Sequence, residues 1–247
     1  MRSWPVFRRG RWAAGVSLAL SDGISVVIMA YDEVASLEGV AREIHATLIR
    51  LGSPHEIVIV DDGSSDGTGE VADRLSSELP GLRVVHHQPN QGLGGVYRTG
   101  FREARRELVT FFPADGQFSA GIIEQFAPLC AECDFVLGYL PEQSRSPQAR
   151  CLSWAERVLY LVLFGPLPRF QGILMFRRAV LDRLTLGSEG RGWAVLMELL
   201  VRASRAGHRM CSVPIKLRPR LSGASKVQNL RTIVSNLRQV LALRAQL

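Results

Sequence analysis

Residues Glu56–Thr68 read EIVIVDDGSSDGT. Ile57, Val58, Ile59 and Val60 form an apolar, mostly β-branched run, the pattern of a fully buried strand. The run stops at two adjacent carboxylates, Asp61 and Asp62. Gly63, Ser64, Ser65, Asp66 and Gly67 supply turn formers, and Thr68 stands where it can cap the next helix. A strand that ends in an acidic loop and passes into a helix is how open α/β sheets present ligand-binding groups at their carboxyl edge. The same grammar occurs twice more. Ile24–Ala30 (ISVVIMA) runs into Tyr31, Asp32 and Glu33, and Leu108–Phe112 (LVTFF) runs into Pro113, Ala114, Asp115, Gly116 and Gln117. Three buried strands ending in acids predict one shared site.

Outward from these stretches, strand and helix patterns alternate between Ile24 and Gly138. A helix over about Val34–Arg50 places Leu37, Val40, Ala41 and Ile44 on one face. The helix after the acidic loop ends near Pro80-Gly81, and Leu82–His86 reads as a third strand. Gly92, Leu93, Gly94 and Gly95 open a helix that runs to Arg106; Ser119 opens another, and Phe135–Tyr139 is a fifth strand. Repeated β-α units predict an α/β fold built on a mostly parallel sheet flanked by helices. Beyond Tyr139 the pattern changes. An unusually apolar helix over Arg150–Phe164 breaks at Gly165-Pro166. A short strand over Gly172–Phe176, a helix from Ala179, a helix over Trp193–Ala206 with Glu198 amid apolar residues, and a strand over Met210–Ile215 follow. Basic Lys216–Lys226 leads to an amphipathic stretch, Val227–Leu243. The organisation expected is a basic tail over 1–23, one domain over 24–226 and an amphipathic C-terminal helix over 227–247.

The 247 residues carry a net charge of +7, unevenly divided. Residues 24–139 hold 8 basic and 17 acidic residues, and residues 140–247 hold 18 basic and 5 acidic ones. Acids suit metal and sugar hydroxyls, while Arg and Lys suit phosphate or an anionic membrane. A nucleic-acid binder, suggested by a pI near 9.8 alone, lacks every helix-turn-helix, zinc-finger or RNP pattern. Cys130 and Cys133 form a lone CxxC without the second pair a zinc site wants, so the four cysteines read as buried or incidental thiols. No stretch reaches the roughly 20 apolar residues of a membrane span. The first residues imitate a secretory signal, but the apolar part is short, and a basic, partly amphipathic tail that touches lipid is the preferred reading.

Single motifs here have competitors. D-x-S-x-D-G from Asp62 resembles an EF-hand start, yet the twelfth position is Asp73 and a strand precedes it. Gly92-Leu93-Gly94 begins a dinucleotide fingerprint whose third glycine position is Tyr97. The combination is far more specific. AYDE, VDDGSSDGT, NQGLGG and ADGQ resemble, in order and spacing, the family-2 inverting glycosyltransferases of the GT-A fold. Gln171-Gly172, Phe176-Arg177-Arg178, Glu198-Leu199-Leu200 and Ser222–Lys226 (SGASK) resemble the dolichol-phosphate mannose synthase and polyprenyl-phosphate glycosyltransferase branch.

The resemblance implies a set of roles. Ala30, Tyr31 and Glu33 lie under a nucleotide-sugar donor. Asp61 or Asp62 reads the base, Asp62 being favoured. Asn90, Gly92 and Arg98 lie near the donor. Asp115 holds Mg²⁺ or Mn²⁺ on the diphosphate, with Gln117 beside it as the other catalytic position. Arg150, Ser153, Ser225 and Lys226 receive the acceptor phosphate. It also implies a hexosyltransferase acting at the cytoplasmic membrane face, without nucleic acid, with a membrane-protein partner or second copy left open. Four departures from the family pattern stand out: Met29 replaces a Pro, Asp32 replaces an Asn, Pro113 replaces the first acid of D-x-D, and Leu140 replaces an Arg. Two rivals stay in view: a family-2 enzyme with a non-lipid acceptor, and a non-catalytic relative that only binds nucleotide or a membrane partner, which Pro113 and Leu140 motivate.

Overall fold

The structure is a computed structural model that describes residues 23–141, 158–219, 239 and 241–245. Seven strands form one sheet: β1 (Ile24–Ala30), β2 (His55–Asp61), β3 (Leu82–His86), β4 (Leu108–Pro113), β5 (Phe135–Tyr139), β6 (Leu174–Arg177) and β7 (Met210–Pro214), in spatial order β3-β2-β1-β4-β6-β5-β7. All neighbours are parallel except β6, which runs antiparallel between β4 and β5. This is the expected mostly parallel α/β architecture with one reversed strand.

The alternation of side chains divides the core in two. Ile24, Val26, Ile28, Ile57, Ile59 and Phe112 face α1 (Leu37–Leu51), α2 (Thr68–Glu78) and α4 (Gly121–Phe126). Val27, Val58, Val60, Val109 and Phe111 face α3 (Gly92–Glu103) and α6 (Ala194–Arg205). Burial on both faces is why these strands read as continuous apolar runs. Between β5 and β6, residues 158–164 form a further helix, α5. Phe164 packs with Met197, Val201 and Leu243 in a third, smaller cluster.

Several local expectations are corrected. The helix from Ala179 is instead a short 3₁₀ segment, Arg178–Arg183. α3 stops at Glu103 rather than Arg106, because Ala104 turns to extended backbone. Thr68 does not cap α2; the Asp66 carboxylate accepts the Thr68 N–H at 3.0 Å in its place. Cys130, Cys133 and Cys211 are buried, with the Cα atoms of Cys133 and Cys211 6.1 Å apart and Cys130 free. Among the described residues no helix is long and apolar enough to cross a membrane.

Candidate active site

The pairing register levels three strand ends. Ala30 lies opposite Asp61, and Met29 lies opposite Pro113. The chain leaves each strand in step: Asp62 N–H donates to Ala30 O at 2.9 Å, and Ala114 N–H donates to Met29 O at 3.0 Å. The acidic ends of β1, β2 and β4 therefore share one edge, as the sequence predicts. Asp62 is 3 % exposed and Asp115 is 7 % exposed.

The DDGSSDGT loop is stapled to the AYDE loop. Asp32 N–H donates to Ser64 Oγ at 2.9 Å, Glu33 N–H to Thr68 Oγ1 at 2.8 Å, and Val34 N–H to Asp66 Oδ2 at 3.1 Å. In return, Ser65 N–H donates to Asp32 Oδ1 at 2.9 Å. Thus the serines, Asp66 and Thr68 shape the floor around Tyr31 and Glu33. Asp32 adopts φ 50, a left-handed conformation that Asp tolerates better than most residues.

Asp62 organises the loop between β3 and α3. Its Oδ1 accepts Gln91 N–H at 2.8 Å and His87 Nδ1–H at 2.7 Å; its Oδ2 accepts Gly92 N–H at 2.8 Å. An ionised carboxylate offers about four acceptor positions, so Oδ2 retains room for one more donor. Asn90 Nδ2 donates to Asp62 O at 2.7 Å. Asp61 accepts Ser64 N–H at 3.1 Å and faces His86 Nδ1 at 2.9 Å, while His86 Nε2 faces Asp73 at 3.0 Å. A ring between two carboxylates must donate from both nitrogens, which requires the imidazolium. Hydrogen bonds to Asp61, then to Asp73, accordingly raise the His86 pKa above its ordinary value. Neither histidine emerged from the sequence reading; the signal was a His pair at the carboxyl end of a strand.

The NQGLGG stretch packs against the segment 187–192. Gly94 N–H donates to Arg191 O at 2.8 Å, and a Cβ on Gly94 would overlap Gly190 O. Arg98 also turns to this segment, donating to Ser188 O at 3.2 Å and Gly190 O at 3.1 Å. Asp115 accepts Gln117 N–H at 3.0 Å across Gly116, which has φ 73. Arg218 N–H donates to Gln117 O at 2.8 Å, so the segment after β7 fastens the DGQ turn.

Among the described residues, no cluster of three or more His, Cys, Asp or Glu forms a ready metal cage. Asp115 alone still fits a hard cation that keeps waters and takes substrate phosphates as ligands. Buried Glu198 is otherwise engaged, accepting Gly187 N–H at 3.0 Å, Ser188 N–H at 2.8 Å and Arg202 Nε–H at 2.7 Å. Burial pushes its pKa up, but the bonds from Gly187, Arg202 and Ser188 outweigh that and hold it below the ordinary value. Arg177 pairs with Glu107 at the far end of the sheet, and Arg178 donates to Ala104 O at 2.9 Å. Arg150, Ser153, Ser225 and Lys226 lie outside the described residues.

Residues 25–183 match the family Glycosyl transferase family 2. The undecaprenyl-phosphate mannosyltransferase of Micrococcus luteus is 28% identical over 222 residues, covering 83% of this chain and 87% of that one. The polyprenol monophosphomannose synthase of Mycolicibacterium smegmatis is 28% identical over 233 residues, covering 87% and 83%. Glycosyltransferase AglD of Haloferax volcanii is 29% identical over 93% of this chain, which spans 37% of AglD. Among solved structures, glucosyl-3-phosphoglycerate synthase from Mycobacterium tuberculosis, crystallised with Mn²⁺, UDP and phosphoglyceric acid, superposes with a TM-score of 0.69. It is 19% identical and covers 95% of this chain and 85% of its own. Mannosyl-3-phosphoglycerate synthase from Rubrobacter xylanophilus gives 0.68 at 20% identity, covering 92% and 75%. At such identity these structures establish a shared fold.

Proposed function

The chain belongs to glycosyl transferase family 2, and from that premise we propose that it moves a sugar from a nucleotide-sugar donor to a membrane polyprenyl phosphate, with inversion. The observation that carries this reading is the pair of relatives matched over more than four-fifths of both chains, whose names join undecaprenyl phosphate or polyprenol to mannose.

The donor lies along the shared edge. Ala30, Tyr31 and Glu33 form its floor, and the open position on Asp62 Oδ2 accepts from the base. Asp61 keeps the DDGS turn in place through Ser64. Asn90 and Gly92 border the base, and Arg98 supports them from behind. Asp115 holds Mg²⁺ or Mn²⁺, with Gln117 beside it. Such a cation, when bound, neutralises charge developing on the leaving diphosphate. A phosphate oxygen of the lipid forms the bond to the anomeric carbon. The bond from that carbon to the β-phosphate oxygen breaks, and the nucleoside diphosphate departs with the electron pair. The acceptor is already an anion, so no strong general base is required. Cations must instead position it against a negatively charged donor. Arg150, Ser153, Ser225 and Lys226 are assigned that task, and the enzyme works as a peripheral protein on the cytoplasmic face.

The test is a panel of sugar nucleotides with Mg²⁺ or Mn²⁺, offered with a short-chain polyprenyl phosphate or with phosphoglyceric acid. The expected result is one donor giving a lipid-extractable product of inverted anomeric configuration. Transfer to phosphoglyceric acid alone would replace the lipid reading with a small-acceptor one. Donor binding without transfer to either would favour a non-catalytic binder.

A further inference from the structure

Residues 187–192, Gly-Ser-Glu-Gly-Arg-Gly, cross the N-terminus of α3 as a strap. Three sets of bonds hold the strap itself. Glu198 accepts Gly187 N–H and Ser188 N–H, Arg98 donates to Ser188 O and Gly190 O, and Gly94 N–H donates to Arg191 O. None of these uses the Arg191 side chain. That guanidinium reaches the other way: Nη1–H donates to Asn90 O at 2.8 Å and Nη2–H to Asn90 Oδ1 at 2.6 Å. Asn90 in turn ties to Asp62 O, and its Oδ1 accepts Gly92 N–H at 3.1 Å. The far side of the strap meets the C-terminal helical segment. Gly192 N–H donates to Gln239 Oε1 at 3.1 Å, and a shallow cleft between them is lined by Ser188, Gly190, Gln239 and Leu243.

We propose that this strap sets the affinity of the nucleotide site, with Arg191 as a positioning residue acting through Asn90, and that the C-terminal segment tunes it through Gln239. The inference rests on the donor assignment made above and adds its regulation. A planar fork on the carbonyl and side chain of one residue fixes that residue in orientation as well as place. Asn90 and Asp62 then present the Gln91 and Gly92 amides as one frame. Without the fork, Asn90 keeps its bonds to Asp62 O and from Gly92 N–H but loses the clamp that fixes both its carbonyl and its side chain, and the frame loosens at the nucleotide. Because Glu198, Arg98 and Gly94 still hold the strap, loss of the Arg191 side chain isolates this effect from unfolding.

The experiment is calorimetric binding of UDP and of GDP, each with Mn²⁺, to the full chain and to Arg191→Ala, Arg191→Lys, Gln239→Ala and the double Ala variant. Arg191→Ala is expected to weaken binding about tenfold, as loss of a charge-assisted contact implies. Arg191→Lys should recover part of it, since an ammonium replaces one bond of the fork. Gln239→Ala should weaken binding about threefold, a neutral hydrogen bond's worth. If both act through one strap, the double variant stays near tenfold instead of multiplying to roughly thirtyfold. Amide exchange at Gln91 and Gly92 should quicken in Arg191→Ala while the melting temperature barely moves, a signature a purely structural role would not give. In the transfer assay the donor KM should rise with kcat within about twofold. Wild-type affinity in Arg191→Ala, or multiplying effects in the double variant, would overturn the inference alone. Failure of the unaltered chain to bind either nucleotide would overturn the donor assignment and this inference with it.

Discussion

Asp62 serves its own chain before it serves a ligand. Two backbone N–H groups and His87 converge on its carboxylate. Asp62→Ala strands Gln91 N–H and His87 Nδ1–H and leaves Gly92 N–H with Asn90 Oδ1 alone, at a cost of roughly 2–4 kcal/mol in stability, and should weaken nucleotide binding more than it slows chemistry. Asp62→Asn keeps one acceptor oxygen and should lose about half as much. Denaturant melts of both variants, with nucleotide affinity alongside, check the order; an Ala variant as stable as the parent contradicts it. His86 makes a pH prediction. Its folded pKa is raised, so its contribution is complete below the unfolded value of about 6.5 and fades as pH rises through the folded one. The melting-temperature gap between the parent and His86→Ala should be widest in mild acid and close toward alkaline pH. A gap independent of pH would remove the imidazolium from the account. Asp61, Asp62 and Asp115 were legible because acids at strand ends are a chemical anomaly in an apolar run. His86, His87 and Arg191 were not, because their partners lie 25, 25 and 101 residues away in sequence.

The strands were the most legible elements, and for one reason: burial on both faces demands unbroken apolar runs. β6 shows the limit. Its reversal comes from pairing with β4 and β5, which no property of Leu174–Arg177 alone records. The segment at Arg178–Arg183 carries helical spacing, yet only six residues separate β6 from the extended backbone at Leu184, and a 3₁₀ turn results. The start of α3 is closely packed: Gly92, expected near the donor, and Gly94 both lie against residues 190–191. Gly94 touches the strap so closely that any Cβ must displace Gly190 O. Gly94→Ala should therefore destabilise the chain by about 1–3 kcal/mol, the range for overpacking, even though Ala favours helix by up to about 1 kcal/mol. Urea unfolding decides the sign; a stabilised variant would mean that strap and helix are not in contact.

At the scale of the molecule, an acidic half carries the carboxylate-lined edge of the sheet and a basic half follows it in sequence. α5 shows Leu161 at 54% and Val162 at 76% exposure, and Leu241 of the C-terminal segment is 54% exposed. Apolar side chains that remain in water beside basic sequence suit an interfacial position. The full chain should float with anionic vesicles at low salt and be partly released at high salt, where the screening length shrinks to a few ångströms; indifference to vesicle charge would count against that placement. The sequence motifs anticipated the family and the sheet, while the acceptor side depended on resemblance alone, since no periodicity marks a phosphate-binding arginine. The most direct test of the whole account is transfer of labelled sugar from a nucleotide donor to polyprenyl phosphate by the parent chain and by Asp115→Ala, with Mn²⁺ and with a chelator. The account predicts lipid-extractable label from the parent with metal, and background label with chelator or from a folded Asp115→Ala. Metal-dependent transfer that survives in Asp115→Ala would show that the donor site lies elsewhere.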